Sequence, residues 1–232
     1  MYRLIGKKEG ELLTITEEEL KHLKVLRLNL SDRVEVNDLE GNIYEGEILQ
    51  IDKRKALVKP IKKLEIIQEE LNIHLFLCMP NQLSKVDDII EPISQLGVKI
   101  LTPVLSRRSA VKQKDVQKKI DKWQRIALQS IKQCKRPFPL TIENPIEIHK
   151  IKLDDCLKLV FYEKEKKNTL KSLEVKQERE VSILIGPEGG LEEEEVNLLK
   201  REGFIPLSLS RTVLRMEAAV IVAICQAKFK LT

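Results

Sequence analysis

The strongest constraint on the fold of this chain is a series of short apolar segments that alternate with helical patterns from residue 73 onwards. Each segment has the length of one strand. The segments are 73–79, 98–105, 157–162, 181–185 and 204–209. Apolar strands separated by helices are typical of a mostly parallel sheet that is covered on both faces. The sequence therefore predicts an α/β fold for residues 71–232, with a last helix that ends near residue 229.

Prolines and aromatic residues suggest the limits of three connecting helices. One helix is expected over 84–96, where Pro92 should kink or shorten it because proline lacks the N–H that an inner helical position donates. Another helix should follow residue 105 and run through Trp123. A helix should also end at Arg136, since Pro137 and Pro139 come directly after it and disfavour helical backbone.

The first seventy residues have a different pattern, with short alternating segments that suggest a small β-barrel. The strands are expected at 33–36, 43–48 and 56–60. Before them, Thr16 and Glu19 stand at the spacing of a capping box, which predicts the start of a helix. The charged segment 62–71 is interpreted as a connector. We therefore divide the chain into a barrel domain at 1–70 and an α/β domain at 71–232.

The sequence gives no sign of export, of a membrane span or of a metal site. No uncharged apolar run approaches the roughly 18 residues that a membrane helix needs, and no secretory signal opens the chain, so a cytoplasmic protein is expected. The four cysteines, Cys78, Cys134, Cys156 and Cys225, contain no C-x-x-C pair. We expect free thiols, with neither a zinc site nor a disulfide framework.

Positive charge is concentrated in one part of the chain. The net charge is +5, and the segment 97–139 alone carries 12 basic residues against two acidic ones. This concentration fits a phosphate-binding surface of a nucleic-acid-binding protein. It fits equally well a solvated, lysine-rich helix face, and the charge alone does not distinguish the two.

A glycine-rich turn follows the apolar segment 181–185. It reads GPEGG at 186–190, and an acidic run at 192–195 comes after it. Glycines let a backbone approach a ligand closely. Four glutamates at the start of a helix would repel a pyrophosphate, and the dinucleotide fingerprint G-x-G-x-x-G is absent. A ligand held by backbone groups, such as an adenine ring, fits better, although an ordinary tight turn is the alternative.

A second polar turn lies between the apolar segment 204–209 and the last helix. Arg215 and Glu217 fall in the first turns of that helix, whose unpaired amides can face a ligand. Taken alone, the pair fits a solvated helix face at least as well.

The two turns together resemble the 16S ribosomal RNA uridine-N3 methyltransferases of the SPOUT superfamily. The resemblance covers nearly the whole chain and keeps its order. The matching segments are HLKVLRL at 22–28, KVDDII at 85–90, QLGV at 95–98, QCKRPFP at 133–139, GPEGG at 186–190 and LSRTVLRMEA at 209–218.

This resemblance implies a fold, a cofactor and partners. The fold would be a PUA-like N-terminal β-barrel followed by an α/β domain with a deep trefoil knot. The cofactor would be S-adenosylmethionine, and the substrate would be 16S rRNA within the small ribosomal subunit, methylated by a homodimer. The cofactor-binding residues would be Leu184, Ile185, Gly186, Pro187, Glu188, Gly189, Gly190, Leu207, Leu209, Ser210, Val213 and Leu214.

The resemblance also suggests which side chains carry the chemistry. Uridine N3 becomes a nucleophile only after it loses its proton, so the site must orient the base and stabilise charge on the ring oxygens. Arg136 and Arg215 are candidates for contacts to those oxygens or to a nearby phosphate, and Glu217 is a candidate base or positioning group. The candidate RNA-binding residues are Arg27, Arg107, Arg108, Lys112 and Lys119.

The chain departs from the family pattern at five positions. Ser210 replaces a glycine, Met216 a threonine, Arg107 and Lys132 acidic residues, and Lys135 a small residue. Two alternatives to the uridine methyltransferase therefore stay open. One is a ribosome-assembly factor that keeps the fold and binds RNA with little or no activity. The other is a related SPOUT enzyme that methylates a ribose 2′-hydroxyl.

Overall fold

The computed structural model of the protein describes residues 1–66, 68–153, 156–175 and 177–232. It divides into two compact units. Unit 1 comprises Met1–Gln68 and Gln129–Pro139, and unit 2 comprises Glu69–Leu128 and Leu140–Thr232. The segment 129–139 therefore clusters with the N-terminal residues, a feature that a single division of the chain near residue 70 does not describe.

Unit 1 contains a closed barrel of five strands. The strands are β1 (Arg3–Glu9), β2 (Leu12–Ile15), β3 (Arg33–Asn37), β4 (Ile43–Ile51) and β5 (Ala56–Leu64). Their order is β1-β2-β5-β4-β3, and parallel pairing of β1 with β3 closes the barrel. Apolar side chains fill its interior, among them Leu4, Leu13, Ile15, Val34 and Val58. The predicted barrel is confirmed. Strand β5 continues into the expected connector, because Leu64 still pairs with Ile43 of β4.

Helix α1 (Glu17–Val25) begins as expected after Thr16, but the predicted capping box is wrong. The Thr16 side chain makes no capping hydrogen bond. The Glu19 carboxylate instead accepts from the backbone N–H of Ile5 and pairs with the Lys132 ammonium. Both oxygens of the Glu19 carboxylate are thus occupied by charge-assisted hydrogen bonds away from the helix start.

Unit 2 is built on a parallel sheet. Its strands are β6 (Asn72–Cys78), β7 (Val98–Leu105), β8 (Thr141–Ile142), β9 (Ile146–Glu147), β10 (Leu157–Phe161), β11 (Glu180–Ile185) and β12 (Ile205–Leu207). The order is β12-β10-β11-β6-β7, and both β8 and β9 pair with β7. The register aligns Phe161, Ile185 and Leu207, so three strands end side by side.

Helices cover both faces of the sheet, as the apolar pattern predicted. They are α2 (Ser84–Gln95), α3 (Gln113–Gln117), α4 (Ile120–Cys134), α5 (Glu193–Arg201) and α6 (Met216–Leu231). Apolar residues of α2, α4 and α6 pack on one face, and those of α5 pack on the other. The sequence suggested one helix through Trp123, but α3 and α4 are separate. Pro92 was expected to kink or shorten α2; the helix continues past Pro92 to Gln95, so it is not shortened there.

Within the residues that the structure describes, no helix combines the length and apolar character that a bilayer span requires.

Candidate functional site

A cavity of about 780 Å³ lies in unit 2 where strands β10, β11 and β12 end. Its wall is formed by the loops after these strands, by the start of α6 and by the loop before α2. Ligands of open parallel sheets bind outside the carboxyl ends of the strands, and a cavity of this size suits a small molecule. The position and the volume together make this cavity the candidate site.

The glycine-rich turn forms one wall of the cavity. Gly190 has a φ of +71°, in the left-handed region that glycine tolerates. A Cβ atom at this position would overlap the carboxylate of Glu163, which also lines the cavity. The backbone conformation therefore favours glycine, whereas the exposed Glu163 side chain could move away from a Cβ atom.

Ten of the twelve residues predicted to bind a cofactor line the cavity. They are Ile185, Gly186, Pro187, Glu188, Gly189, Gly190, Leu209, Ser210, Val213 and Leu214. The other two, Leu184 and Leu207, are fully buried and do not line it. Their side chains are enclosed in the core on either side of the sheet.

The second predicted turn forms the opposite wall. Arg215 is the N-cap of α6 and Glu217 lies in its first turn, and both line the cavity. The Ser210 hydroxyl accepts from the Thr212 N–H at 3.2 Å, and the Ser210 backbone is outside the left-handed region. A serine therefore fits where the family has glycine. Met216 is buried in the core at the start of α6.

A charged pair connects α2 to the glycine-rich turn, and of its two members only Lys85 was not predicted as a site residue. The Glu188 carboxylate accepts from the Asn81 N–H at 3.0 Å and pairs with the Lys85 ammonium. The hydrogen bond from Lys85 holds the pKa of Glu188 below its usual range, and Glu188 in turn raises the pKa of Lys85. The nearby carboxylate of Glu217 contributes to the raised pKa of Lys85. Lys85 therefore interacts electrostatically with a carboxylate on each of the two walls of the cavity.

Comparison with known proteins places the chain in a family. A family model described as an RNA methyltransferase domain matches residues 68–228, and a model of an RNA methyltransferase PUA domain matches residues 15–61. The ribosomal RNA small subunit methyltransferase E of Aquifex aeolicus is 31% identical over 217 residues, which cover 92% of this chain and 93% of that protein.

The chain belongs to the ribosomal RNA small subunit methyltransferase E family.

Solved structures agree with this family membership. A protein of Legionella pneumophila, solved with the bound cofactor SAM, is 28% identical with a TM-score of 0.86, covering 97% of this chain and 96% of its own. A ribosomal RNA small subunit methyltransferase E of Neisseria gonorrhoeae, bound to S-adenosyl methionine, has a TM-score of 0.87 at 22% identity and covers 99% and 97%. At this identity, the likeness to the Neisseria protein establishes the fold alone.

Three of the positions at which this chain departs from the family pattern carry a cationic side chain, and each of these side chains pairs with a carboxylate. Arg107 pairs with Glu192 and Glu194 at the start of α5, and its pKa is raised mainly by its hydrogen bond to Glu192. Lys132 pairs with Glu19, and Lys135 pairs with Glu35 at 2.8 Å. The substitutions that look like added positive charge in the sequence are therefore largely compensated within their own units.

Most of the residues predicted to bind RNA also have internal partners. Arg108 donates to the Gly189 carbonyl, and Lys119 pairs with Asp87 at 3.2 Å. Lys112 is exposed in front of α3. Arg27 is exposed in unit 1, just after α1, with a φ of +55°. The two arginines at 107 and 108 thus contact the acidic helix start and the glycine-rich turn.

Arg136 belongs to unit 1 and follows α4 as predicted. The helix ends at Cys134, and Lys135 adopts a φ of +61° while its N–H donates to the Ile131 carbonyl at 3.0 Å. The Arg136 carbonyl accepts from the Arg3 guanidinium at 3.3 Å and from the buried Asn37 amide at 3.4 Å. Contacts from the barrel therefore fix the backbone of this loop.

Proposed function

We propose that the protein transfers a methyl group from S-adenosylmethionine to N3 of a uridine in the RNA of the small ribosomal subunit. The observation that carries the proposal is the cavity at the ends of β10, β11 and β12, lined by both family motifs of the chain. The two family models support methyl transfer to RNA, and the name of the Aquifex relative supports small-subunit rRNA as the substrate. Uridine N3 rests on the resemblance to the uridine-N3 enzymes.

The residues around the cavity fit S-adenosylmethionine. Gly189 and Gly190 line the cavity without side chains, so an adenine or ribose can approach the backbone of the turn. The acidic side chains of Glu163, Glu188 and Glu217 line the cavity and suit a cationic sulfonium ligand. S-adenosylmethionine, when bound, supplies the electrophilic methyl group.

The side chains that hold the uridine must remove the N3 proton and stabilise the charge that develops on the ring. We assign Glu217 the removal of the N3 proton, with its carboxylate oxygen as the acceptor. Arg215 stands two residues earlier at the same wall of the cavity and can donate to a pyrimidine oxygen as negative charge develops there. Arg136 is assigned a second such contact on the strength of the resemblance. The target base must leave its stack to reach these groups.

The partners follow from the same proposal. The substrate would be met in the cytoplasm, where small subunits are assembled. A homodimer is supported by one side of α6, where Ala218 and Cys225 are exposed two helical turns apart. Exposed apolar residues at this spacing suit packing against a second copy.

The test is methyl transfer from radiolabelled S-adenosylmethionine to purified ribosomal particles. The substrates are small and large subunits from a strain that lacks this protein, together with naked small-subunit rRNA. The proposal predicts incorporation into the small-subunit RNA and none into the large subunit. Cofactor binding without incorporation into any of the three would favour the assembly factor and would contradict the proposed activity.

A further inference from the structure

A second cavity, of about 860 Å³, adjoins the cofactor cavity in unit 2. The two share wall residues at Lys166 and at 208–210. The second one is formed by the segment after β10, the turn after β12 and the last two turns of α6. Nothing in the proposed mechanism uses it.

The wall of this second cavity is positively charged and contains no acidic residue. Its cations are Lys166, Lys171, Arg211 and Lys230. Among the residues that the structure describes, none of the four forms an ion pair with a carboxylate; Lys166 donates to the backbone carbonyl of Glu163 at 2.9 Å. Four cations around one concavity create a positive potential, because its lining residues include no carboxylate.

The basic segment 97–139 differs in this respect. Seven of its cations pair with carboxylates. They are Arg107, Arg108, Lys118, Lys119, Lys122, Lys132 and Lys135. A phosphate that approaches such a cation meets a fixed negative charge as well, so the attraction is weakened. The density of basic residues in the sequence therefore overstates the potential of this segment.

We infer that the second cavity binds the phosphates of the RNA strand next to the target uridine, with Lys171, Arg211 and Lys230 as the contacts. The inference rests on the proposed function and names where its substrate binds. A strand whose target base enters the cofactor cavity has its neighbouring phosphates within a nucleotide or two. The shared wall at 208–210 places the unpaired cations next to that point.

Three matched variants test this placement. The first replaces Lys171, Arg211 and Lys230 with Gln. The second is the control and replaces Lys150, Lys200 and Arg201 with Gln; these are exposed cations of the same unit that line neither cavity. The third keeps the charge, with Lys171→Arg, Arg211→Lys and Lys230→Arg. Calorimetry with S-adenosylmethionine checks that each variant is folded, since none of these residues lines the cofactor cavity.

The measurement is the affinity for small subunits from the deletion strain across a series of salt concentrations. Loss of three phosphate contacts should flatten the slope of log affinity against log salt by about two. It should also lower the affinity about tenfold or more at low salt, and the control and charge-keeping sets should match the wild type. An unchanged slope in the first variant would overturn the inference.

Two other outcomes are distinguishable. If the first variant binds RNA normally but changes the dimer dissociation constant in sedimentation, a second copy covers the cavity and the inference is wrong. If the wild type neither binds nor methylates small subunits, the proposed function fails before the variants are compared.

Discussion

At the scale of single residues, Gly190 combines a left-handed backbone conformation with a place on the wall of the candidate cofactor cavity. Its left-handed φ costs an L-residue about 1–2 kcal/mol, and the space that its missing side chain leaves is bounded by Glu163. The glycine pattern alone identified this turn. Lys85 carried no comparable local signal, because its role depends on Glu188, which is about a hundred residues away in the chain.

We predict that Gly190→Val lowers the affinity for S-adenosylmethionine at least about tenfold, because the turn must shift to relieve the backbone strain and a valine side chain would occupy the cavity wall. The control is Gly10→Val, since Gly10 has a φ of +64° but no atom within 4 Å of an added Cβ. It should lose stability through backbone strain and keep the cofactor affinity. Calorimetry of the two folded variants separates these effects. Equal affinity in Gly190→Val and wild type would exclude the turn from cofactor binding.

A second residue-scale prediction concerns Arg136. Arg136→Lys should preserve the fold and cofactor affinity but lower the single-turnover methylation rate on the order of a hundredfold, because lysine lacks the planar fork of donors. Arg125→Lys, the same change at an exposed position of α4, is the control. A rate for Arg136→Lys within about threefold of wild type, well short of the expected loss, would remove this side chain from the active site.

At the scale of elements, hydrogen bonds to Asp87 of α2 connect this helix to the start of α4. The Asp87 carboxylate accepts from the Trp123 indole N–H at 2.7 Å and from the ammonium groups of Lys119 and Lys122 at 3.2 and 2.7 Å. Burial raises the pKa of Asp87, but the hydrogen bonds from Lys122, Trp123 and Lys119 lower it further, so the pKa lies below its usual range. The folded protein therefore favours the ionised carboxylate.

Asp87→Ala should lower the free energy of unfolding by about 1–3 kcal/mol, because the buried indole N–H loses its acceptor. Asp88→Ala, at an exposed position of the same helix, should change it by no more than about 0.5 kcal/mol. Denaturation in urea, followed by the fluorescence of the single tryptophan, measures both.

The pH dependence of this contribution has a defined sign. A lowered pKa stabilises the fold above the unfolded carboxyl pKa of about 3.9, and the stabilisation is lost as the pH falls through the folded value. The difference between wild type and Asp87→Ala should therefore be smaller at acid pH than at neutral pH. A difference that grows on acidification would contradict the assignment.

Most of the helices and strands could be predicted from the sequence, but the contacts between distant side chains could not. Apolar segments identified five strands of unit 2, since their apolar side chains pack into the two core clusters of that unit. The two-residue strands β8 and β9 carry no periodic signal. The capping box at Thr16 failed because Glu19 is held by Lys132, whose position in space no local pattern indicates.

At the scale of the whole molecule, the trefoil knot and the dimer stay predictions from the resemblance. Cys225→Asp, placed on the exposed side of α6 and outside both cavities, should convert a dimer into a monomer in sedimentation at micromolar concentration, because a charge buried in an apolar interface is costly. Lys200→Asp, at an exposed position of α5, is the control and should stay dimeric. A wild-type monomer at that concentration would contradict the predicted homodimer.

The central claim is that the methyl group is transferred to N3 of a uridine. The most direct measurement is mass spectrometry of nucleosides from small subunits that lack the modification, treated with the protein and S-adenosylmethionine. The predicted result is N3-methyluridine at one site of the small-subunit RNA, with less of it at limiting S-adenosylmethionine when Gly190→Val replaces the wild type. A 2′-O-methylated nucleoside, or no new methylated nucleoside from a protein that binds the cofactor, would contradict it.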